Sequence, residues 1–199
     1  MIAAIVLAAG ESRRMGRQKL LLPYRGRTVI EHIVGQVIAS EVSQTIVVTG
    51  HDAEAVKAVL ADKPLTVVEN TRYKEGMLTS IRRGLQEVHP EAEAFMVVLG
   101  DQPSVSSRLV NILLRGFRGA AEDIVVPLYD DDTGHPIIIS MRYREEVMTH
   151  FDGTGLRGLI YGNPDCVHRL PVDMPEVLRD MDTPEDYQRE LDALAQGNV

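Results

Sequence analysis

Apolar residues come in short, nearly unbroken runs along this chain, and amphipathic stretches fill the gaps between them. Residues 2–8, 45–49, 65–68, 95–99 and 123–126 are rich in apolar and β-branched side chains and bounded by polar residues or glycine, so each predicts a buried strand. Residues 28–39, 53–60, 77–88 and 107–117 carry apolar positions at three-to-four spacing and predict helices, the second with Asp52 as its N-cap. Strand–helix alternation with continuously apolar strands predicts a parallel sheet covered on both faces. The second half is less regular: 136–140 reads as a strand, and 143–150, 156–161 and 184–195 read as helices. No repeat, low-complexity tract or linker interrupts the pattern. The whole chain, 1–199, is therefore expected to be one domain, with residues 196–199 fraying at its end.

The net charge of −8 argues against a broad nucleic-acid-binding face, which would have to be basic to release counterions. An acidic chain with one basic loop points instead to local capture of a small anion. Cys166 is the only cysteine, which rules out an internal disulfide and a cysteine-based zinc site. No apolar stretch approaches the length needed to cross a bilayer, and the first apolar run lacks a basic n-region. A reducing cytoplasm is the expected compartment.

The first apolar run breaks at Gly10 into a loop carrying Arg13, Arg14, Arg17 and Lys19. Gly10 and Gly16 let backbone N–H groups approach an anion while the cations neutralise its charge. The loop is neither a P-loop, since Lys19 falls three residues after Gly16, nor a G-x-G-x-x-G dinucleotide fingerprint. A second feature is the Gly100-Asp101-Gln102-Pro103 turn after the run 95–99. In open α/β sheets ligands bind at the carboxyl ends of the strands, and both features sit at such ends. Asp101 is placed to hold a hard divalent cation, which takes one or two protein carboxylates beside phosphate and water, or to cap a helix starting at Pro103. Asp180-Met181-Asp182-Thr183-Pro184-Glu185-Asp186-Tyr187 offers the same two readings: further metal-ligating acid, or a helix start with Thr183 as cap and Pro184 at the first position.

The pattern A-A-G-x-S-x-R-M-G-x-x-K, read as Ala8, Ala9, Gly10, Ser12, Arg14, Met15, Gly16 and Lys19, resembles the signature of the MobA-like nucleotidyltransferase superfamily. Together with the G-D-Q-P, G-H-P and D-x-D-T-P-E-D-Y segments, it is most similar to the branch of molybdenum cofactor cytidylyltransferases. The resemblance implies a single-domain Rossmann-like, mostly parallel sheet with helices on both faces, of nucleotide-diphospho-sugar transferase type. Residues 1–104 would then be mainly the nucleotide-binding half and 105–199 mainly the acceptor-binding half. It implies transfer of CMP from CTP to the phosphate of molybdopterin with release of pyrophosphate, and magnesium as cofactor. Lys19, Arg14 and Asp101 would be catalytic, and Asp101 and Asp182 would hold the metal. Leu7, Ala8, Ala9, Gly10, Ser12, Gly16, Lys19, Asn70, Gly76 and Ser80 would bind the nucleotide. His135, Pro136 and Arg157 would face the acceptor, although Asp132 and Thr133 replace the family's Arg-Gly before Gly134-His135-Pro136. A molybdenum hydroxylase would be a downstream partner, with neither nucleic acid nor membrane involved.

On the residues alone, the stretch from Gly76 to Ser80 is equally a helix start whose small side chains face a neighbour, and Arg157 equally a solvated helix arginine. Three further readings stand beside the main one: a guanylyltransferase of the same superfamily, a nucleotidyltransferase with a sugar-phosphate or methylerythritol-phosphate acceptor, and a non-catalytic chaperone delivering cofactor to a hydroxylase.

Overall fold

The computed structural model describes residues 1–196; of the end expected to fray, residues 197–199 lie outside the described residues. In chain order the strands are β1 (Ile2–Ala8), β2 (Pro23–Tyr24), β3 (Arg27–Thr28), β4 (Gln44–Thr49), β5 (Thr66–Glu69), β6 (Ala94–Leu99), β7 (Ile124–Tyr129), β8 (Asp132–Thr133), β9 (Ile137–Ser140) and β10 (Val167–Pro171). The helices are α1 (Val29–Ile38), α2 (Ala53–Val59), α3 (Met77–Leu85), α4 (Ser107–Gly119), α5 (Arg144–Thr149), α6 (Leu156–Gly162) and α7 (Pro184–Ala195).

One sheet runs in the order β10-β7-β9-β6-β1-β4-β5, with β8 appended to β7. Its pairings are parallel except where β9 runs antiparallel to both β6 and β7, and where β8 returns along β7. The expected mostly parallel, two-faced α/β architecture is therefore present. The central strand shows why its sequence is apolar throughout. Ile2, Ala4, Val6 and Ala8 enter the core layer shared with α1 and α4, while Ala3 and Ile5 enter the opposite layer shared with α3 and α5. A strand buried on both faces has no solvent side on which to place polar residues.

Besides the two-residue strands β2, β3 and β8, which no apolar run marks, two features depart from the sequence reading. The edge strand β10 was not expected, because Val-His-Arg-Leu-Pro buries only its first residue fully and so carries no apolar run. Pairing with β7, from Val167 beside Ile124 onward, decides it. Asp52 is not an N-cap in the expected sense. It stands in the left-handed region (φ 54°) with no capping bond, and its carboxylate lies 3.4 Å from His51 Nε2. A capping side chain reaches the first-turn N–H groups from extended backbone, which Asp52 does not have.

The parallel strands deliver their carboxyl ends to one edge. Leu7 pairs with Leu99, Ala8 with Thr49, and Thr49 in turn with Glu69. Gly100 N–H donates to the Leu7 carbonyl at 3.0 Å, and a Cβ at position 100 would lie 2.5 Å from that oxygen. Only glycine lets the G-D-Q-P turn leave the sheet pressed against the end of β1.

Candidate active site

The loop after β1 folds around its own side chains. Ser12 (φ 52°) and Gly16 (φ 66°) take left-handed backbone, and between them a 3₁₀ turn, Arg13–Met15, drops Met15 into the core as an anchor. Ser12 Oγ donates to Gln18 Oε1 at 3.0 Å and accepts from Lys19 N–H at 3.2 Å. Gln18 Nε2 donates to the carbonyls of Gly10 (3.4 Å) and His51 (3.3 Å). These bonds close the loop on itself. Among the described residues, the N–H groups of Glu11, Ser12, Arg13 and Arg14 donate to no protein acceptor, and all four residues line a cleft of about 370 Å³. Unsatisfied N–H groups beside two arginines make an anion-binding concavity.

Across that cleft stand the carboxylates. Lys19 Nζ is 2.6 Å from Asp101 Oδ2 and 2.8 Å from Asp182 Oδ1, and Arg14 meets Asp182 Oδ2 at 2.6 Å. Burial would lower the pKa of the Lys19 ammonium, but Asp101 and then Asp182 outweigh it and raise the pKa above its ordinary value. Asp182 shows the converse. Burial would raise its pKa, and Lys19 and Arg14 together hold the carboxyl below the usual range. Asp180, pushed up by burial and by the neighbouring Asp101, accepts from Gln102 Nε2 at 2.9 Å.

Asp101 and Asp182 are 81 residues apart in sequence. Backbone bonds bring them together. Met181 N–H donates to the Asp101 carbonyl at 2.8 Å, and the Val177 carbonyl accepts from both His135 N–H (3.0 Å) and Gln102 Nε2 (3.3 Å). Gly134 packs so closely on this segment that a Cβ there would overlap the Val177 carbonyl. Neither acid caps a helix with its side chain. Ser106 caps α4, which starts at Ser107 as the apolar spacing predicts and not at Pro103, and Thr183 caps α7 in a capping box with Asp186. Gln102, 1% exposed, ties the G-D-Q-P turn to the segment from Val177 to Asp180 and escaped the sequence reading, as did the loop-closing Gln18. Their signals were adjacency to Asp101 and Lys19, where an uncharged amide suggests no chemistry of its own.

The structure therefore gathers Leu7, Gly10, Ser12, Arg14, Lys19, Asp101 and Asp182 into one cleft. The remaining candidates do not line it. Ala8 and Ala9 are buried behind the loop, and Gly16 turns the chain outside the cleft. Asn70 and Ser80 are buried and bonded to each other at 2.9 Å. Asn70 lines a separate cavity of about 390 Å³ with Arg72 and Arg82. Gly76 starts α3 at φ 114°. Burial lowers the His135 pKa to about 4 against the opposing pull of Asp101, with Arg157 adding to the depression, so the imidazole is neutral at pH 7. Pro136 is buried beside it and Arg157 is exposed on α6.

A metal fits this arrangement in one way. Among the described residues no three His, Cys, Asp or Glu side chains converge to cage an ion. Two carboxylates address one point, and an oxygen-only pair of that kind suits a hard divalent cation completed by phosphate and water.

The fold and this cleft define an α/β enzyme class that binds a nucleoside triphosphate at the carboxyl edge of a mostly parallel sheet. The chain belongs to the MobA-like NTP transferase domain family, which matches residues 4–168. It is 26% identical over 188 residues to the molybdenum cofactor cytidylyltransferase of Escherichia coli K12, covering 94% of this chain and 93% of that protein. It is 30% identical over 197 residues to the nicotine blue oxidoreductase of Paenarthrobacter nicotinovorans, with 96% of each covered. Among solved structures, Rv0371c of Mycobacterium tuberculosis H37Rv superposes with a TM-score of 0.84 at 35% identity, over 96% of this chain and 97% of that one. A structure of Rv0371c in complex with manganese gives a TM-score of 0.80 at 33% identity, over 96% and 98% of the two chains. Among the described residues no helix is long and apolar enough to cross a membrane.

Proposed function

We propose that this NTP transferase moves CMP from CTP onto the phosphate of a molybdopterin-type acceptor, with pyrophosphate leaving. The observation that carries the reading is Lys19 held between Asp101 and Asp182, with Arg14 and the free N–H groups of the Gly10 loop lining the same cleft. In the proposed reaction an acceptor phosphate oxygen attacks the α-phosphorus, and the bond from that phosphorus to the bridging oxygen breaks. The nucleophile is already ionised at neutral pH, so no general base is needed. The loop N–H groups hold the triphosphate in line, and Lys19 and Arg14 neutralise charge on the departing pyrophosphate. Asp101 and Asp182 would hold a magnesium ion, which when bound supplies Lewis-acid stabilisation of the phosphate oxygens. Neutral His135, with Pro136 and Arg157, would face the acceptor, while Asn70, Gly76 and Ser80 would shape the nucleobase side. On this reading residues 1–104 chiefly serve the nucleotide and 105–199 the acceptor.

CTP and molybdopterin are supported by the likeness to the cytidylyltransferase branch and by Ala9, where guanylyl enzymes of the superfamily carry glycine. The test is to incubate the protein with each NTP, magnesium and molybdopterin, and to follow pyrophosphate and the dinucleotide product. CTP should give the fastest release. Equal or faster release with GTP refutes the cytidylyl assignment, and no acceptor-dependent pyrophosphate with any NTP refutes transfer to molybdopterin.

A further inference from the structure

Six charged side chains line the cleft, and their formal charges cancel in two groups: Glu11 against Arg13, and Asp101 and Asp182 against Lys19 and Arg14. The two cations are not equivalent. Arg14 has 68% of its side chain exposed and can swing into solvent, whereas the Lys19 side chain is 10% exposed and enclosed. The backbone of Lys19 is fixed, since its N–H is held by Ser12 Oγ and its carbonyl accepts from Leu22 N–H at 3.2 Å. Only the four-carbon stem is free to move, and the open volume beside it is the cleft lined by Gly10, Glu11, Ser12, Arg13 and Arg14.

We infer that Lys19 occupies the cation position between Asp101 and Asp182 and competes with a divalent metal for it, so that metal enters together with a triphosphate that takes over the ammonium. The inference rests on the proposed reading of the two acids as metal ligands. A divalent ion added to the balanced cluster would leave Lys19 and Arg14 repelling it at close range, where partial burial weakens solvent screening. Moving Lys19 out without an anion would give up its contacts to Asp101 and Asp182 with nothing in the cleft to replace them, which is also unfavourable. A triphosphate removes both obstacles, because its oxygens accept the Lys19 ammonium in the cleft and add negative charge for the metal. Bare metal is thereby kept from sitting in the site and sequestering the carboxylates.

The experiment uses manganese as the probe, with binding to the full-length protein followed by electron paramagnetic resonance. Lys19→Met keeps the length of the stem and removes the charge; Lys19→Gln serves if the methionine variant does not fold, and Lys19→Arg retains the charge. Lys19→Met should bind bare Mn²⁺ at least tenfold more tightly than wild type, while Lys19→Arg stays within about threefold of it. With Mn²⁺ loaded on inorganic tripolyphosphate the ranking should reverse, wild type binding the complex more tightly than Lys19→Met. A merely structural lysine would not make the two rankings cross. Bare Mn²⁺ bound no more tightly by Lys19→Met or Lys19→Gln than by wild type overturns the inference. In that event, Mn²⁺ binding weakened by Asp101→Asn or Asp182→Asn would leave the carboxylate site standing. Unchanged Mn²⁺ binding in both aspartate variants would remove the metal reading and this inference with it.

Discussion

Neutralising Asp101 and Asp182 singly and together tests whether the two acids act as one unit. Each Asp→Asn exchange keeps shape and volume and removes one negative charge that faces Lys19 within 2.8 Å. Loss of a charge-assisted hydrogen bond costs about 1.5–3 kcal/mol. Asp101 and Asp182 are 26% and 29% exposed, so water returns part of it, and unfolding free energy should fall by about 1–2 kcal/mol per exchange. A domain with about 5–15 kcal/mol of stability stays folded through such a loss. In the proposed reaction the effect on catalysis should be larger, because there the charge would align groups at the reacting phosphate. Each single variant should lose on the order of 10²–10³ in kcat/KM, or about 3–4 kcal/mol. Independent contributions would multiply to about 10⁴–10⁶, whereas a shared unit leaves the double variant within about threefold of the worse single. Lost helix capping cannot mimic this result, since Ser106 and Thr183 supply the caps of α4 and α7. The assay is acceptor-dependent pyrophosphate release, with folding checked by urea melts. Near wild-type kcat/KM in folded Asp101→Asn refutes the metal site, and the same result in Asp182→Asn alone removes that residue from it.

Lys19→Ala should keep the fold and lose about 2–4 kcal/mol of transition-state stabilisation in the same assay, and a wild-type kcat/KM would refute its role at the leaving group. Gly134→Ala should destabilise by about 2–3 kcal/mol and lower the urea midpoint, because its Cβ meets the backbone carbonyl of Val177 rather than a movable side chain. An unchanged midpoint would contradict that packing. The His135 pKa falls to about 4 in the folded chain from about 6.5 unfolded, so between those pH values the unfolded state binds more protons and stability drops as pH falls. His32, likewise lowered to about 4 by burial, acts in the same window. Replacing His135 with Gln should shrink the stability loss between pH 7 and 4.5 by about 2 kcal/mol, and an undiminished loss would contradict a half-buried, neutral imidazole.

The G-D-Q-P motif was legible because it places acid and proline where β6 ends, D-x-D-T-P because its acids stand just before the proline that starts α7, and the Gly10 loop because its cations cluster in an otherwise acidic chain. Gln18 and Gln102 were not legible. Each matters through bonds to carbonyls and side chains remote in sequence, such as His51, Val177 and Asp180, and an amide carries no chemical mark of such partners.

By itself the sequence determined the alternation of elements, since a strand buried on both faces must be apolar at every position and a helix packed on one face must repeat at three to four. It also determined the helix starts at Thr28 and Thr183, where the threonine hydroxyl accepts from the N–H of the acid three residues on and that acid's carboxylate accepts from the threonine N–H. Tertiary structure decided what no local pattern holds. The polar edge strand β10 exists because β7 offers it a ladder, and β9 runs antiparallel because it returns between β6 and β7. The convergence of Lys19, Asp101 and Asp182 is of the same kind. It depends on the Met181 N–H bond to the Asp101 carbonyl and on Gly134 lying against Val177, and contacts across such sequence distances form only once the sheet has set the ends of its strands side by side.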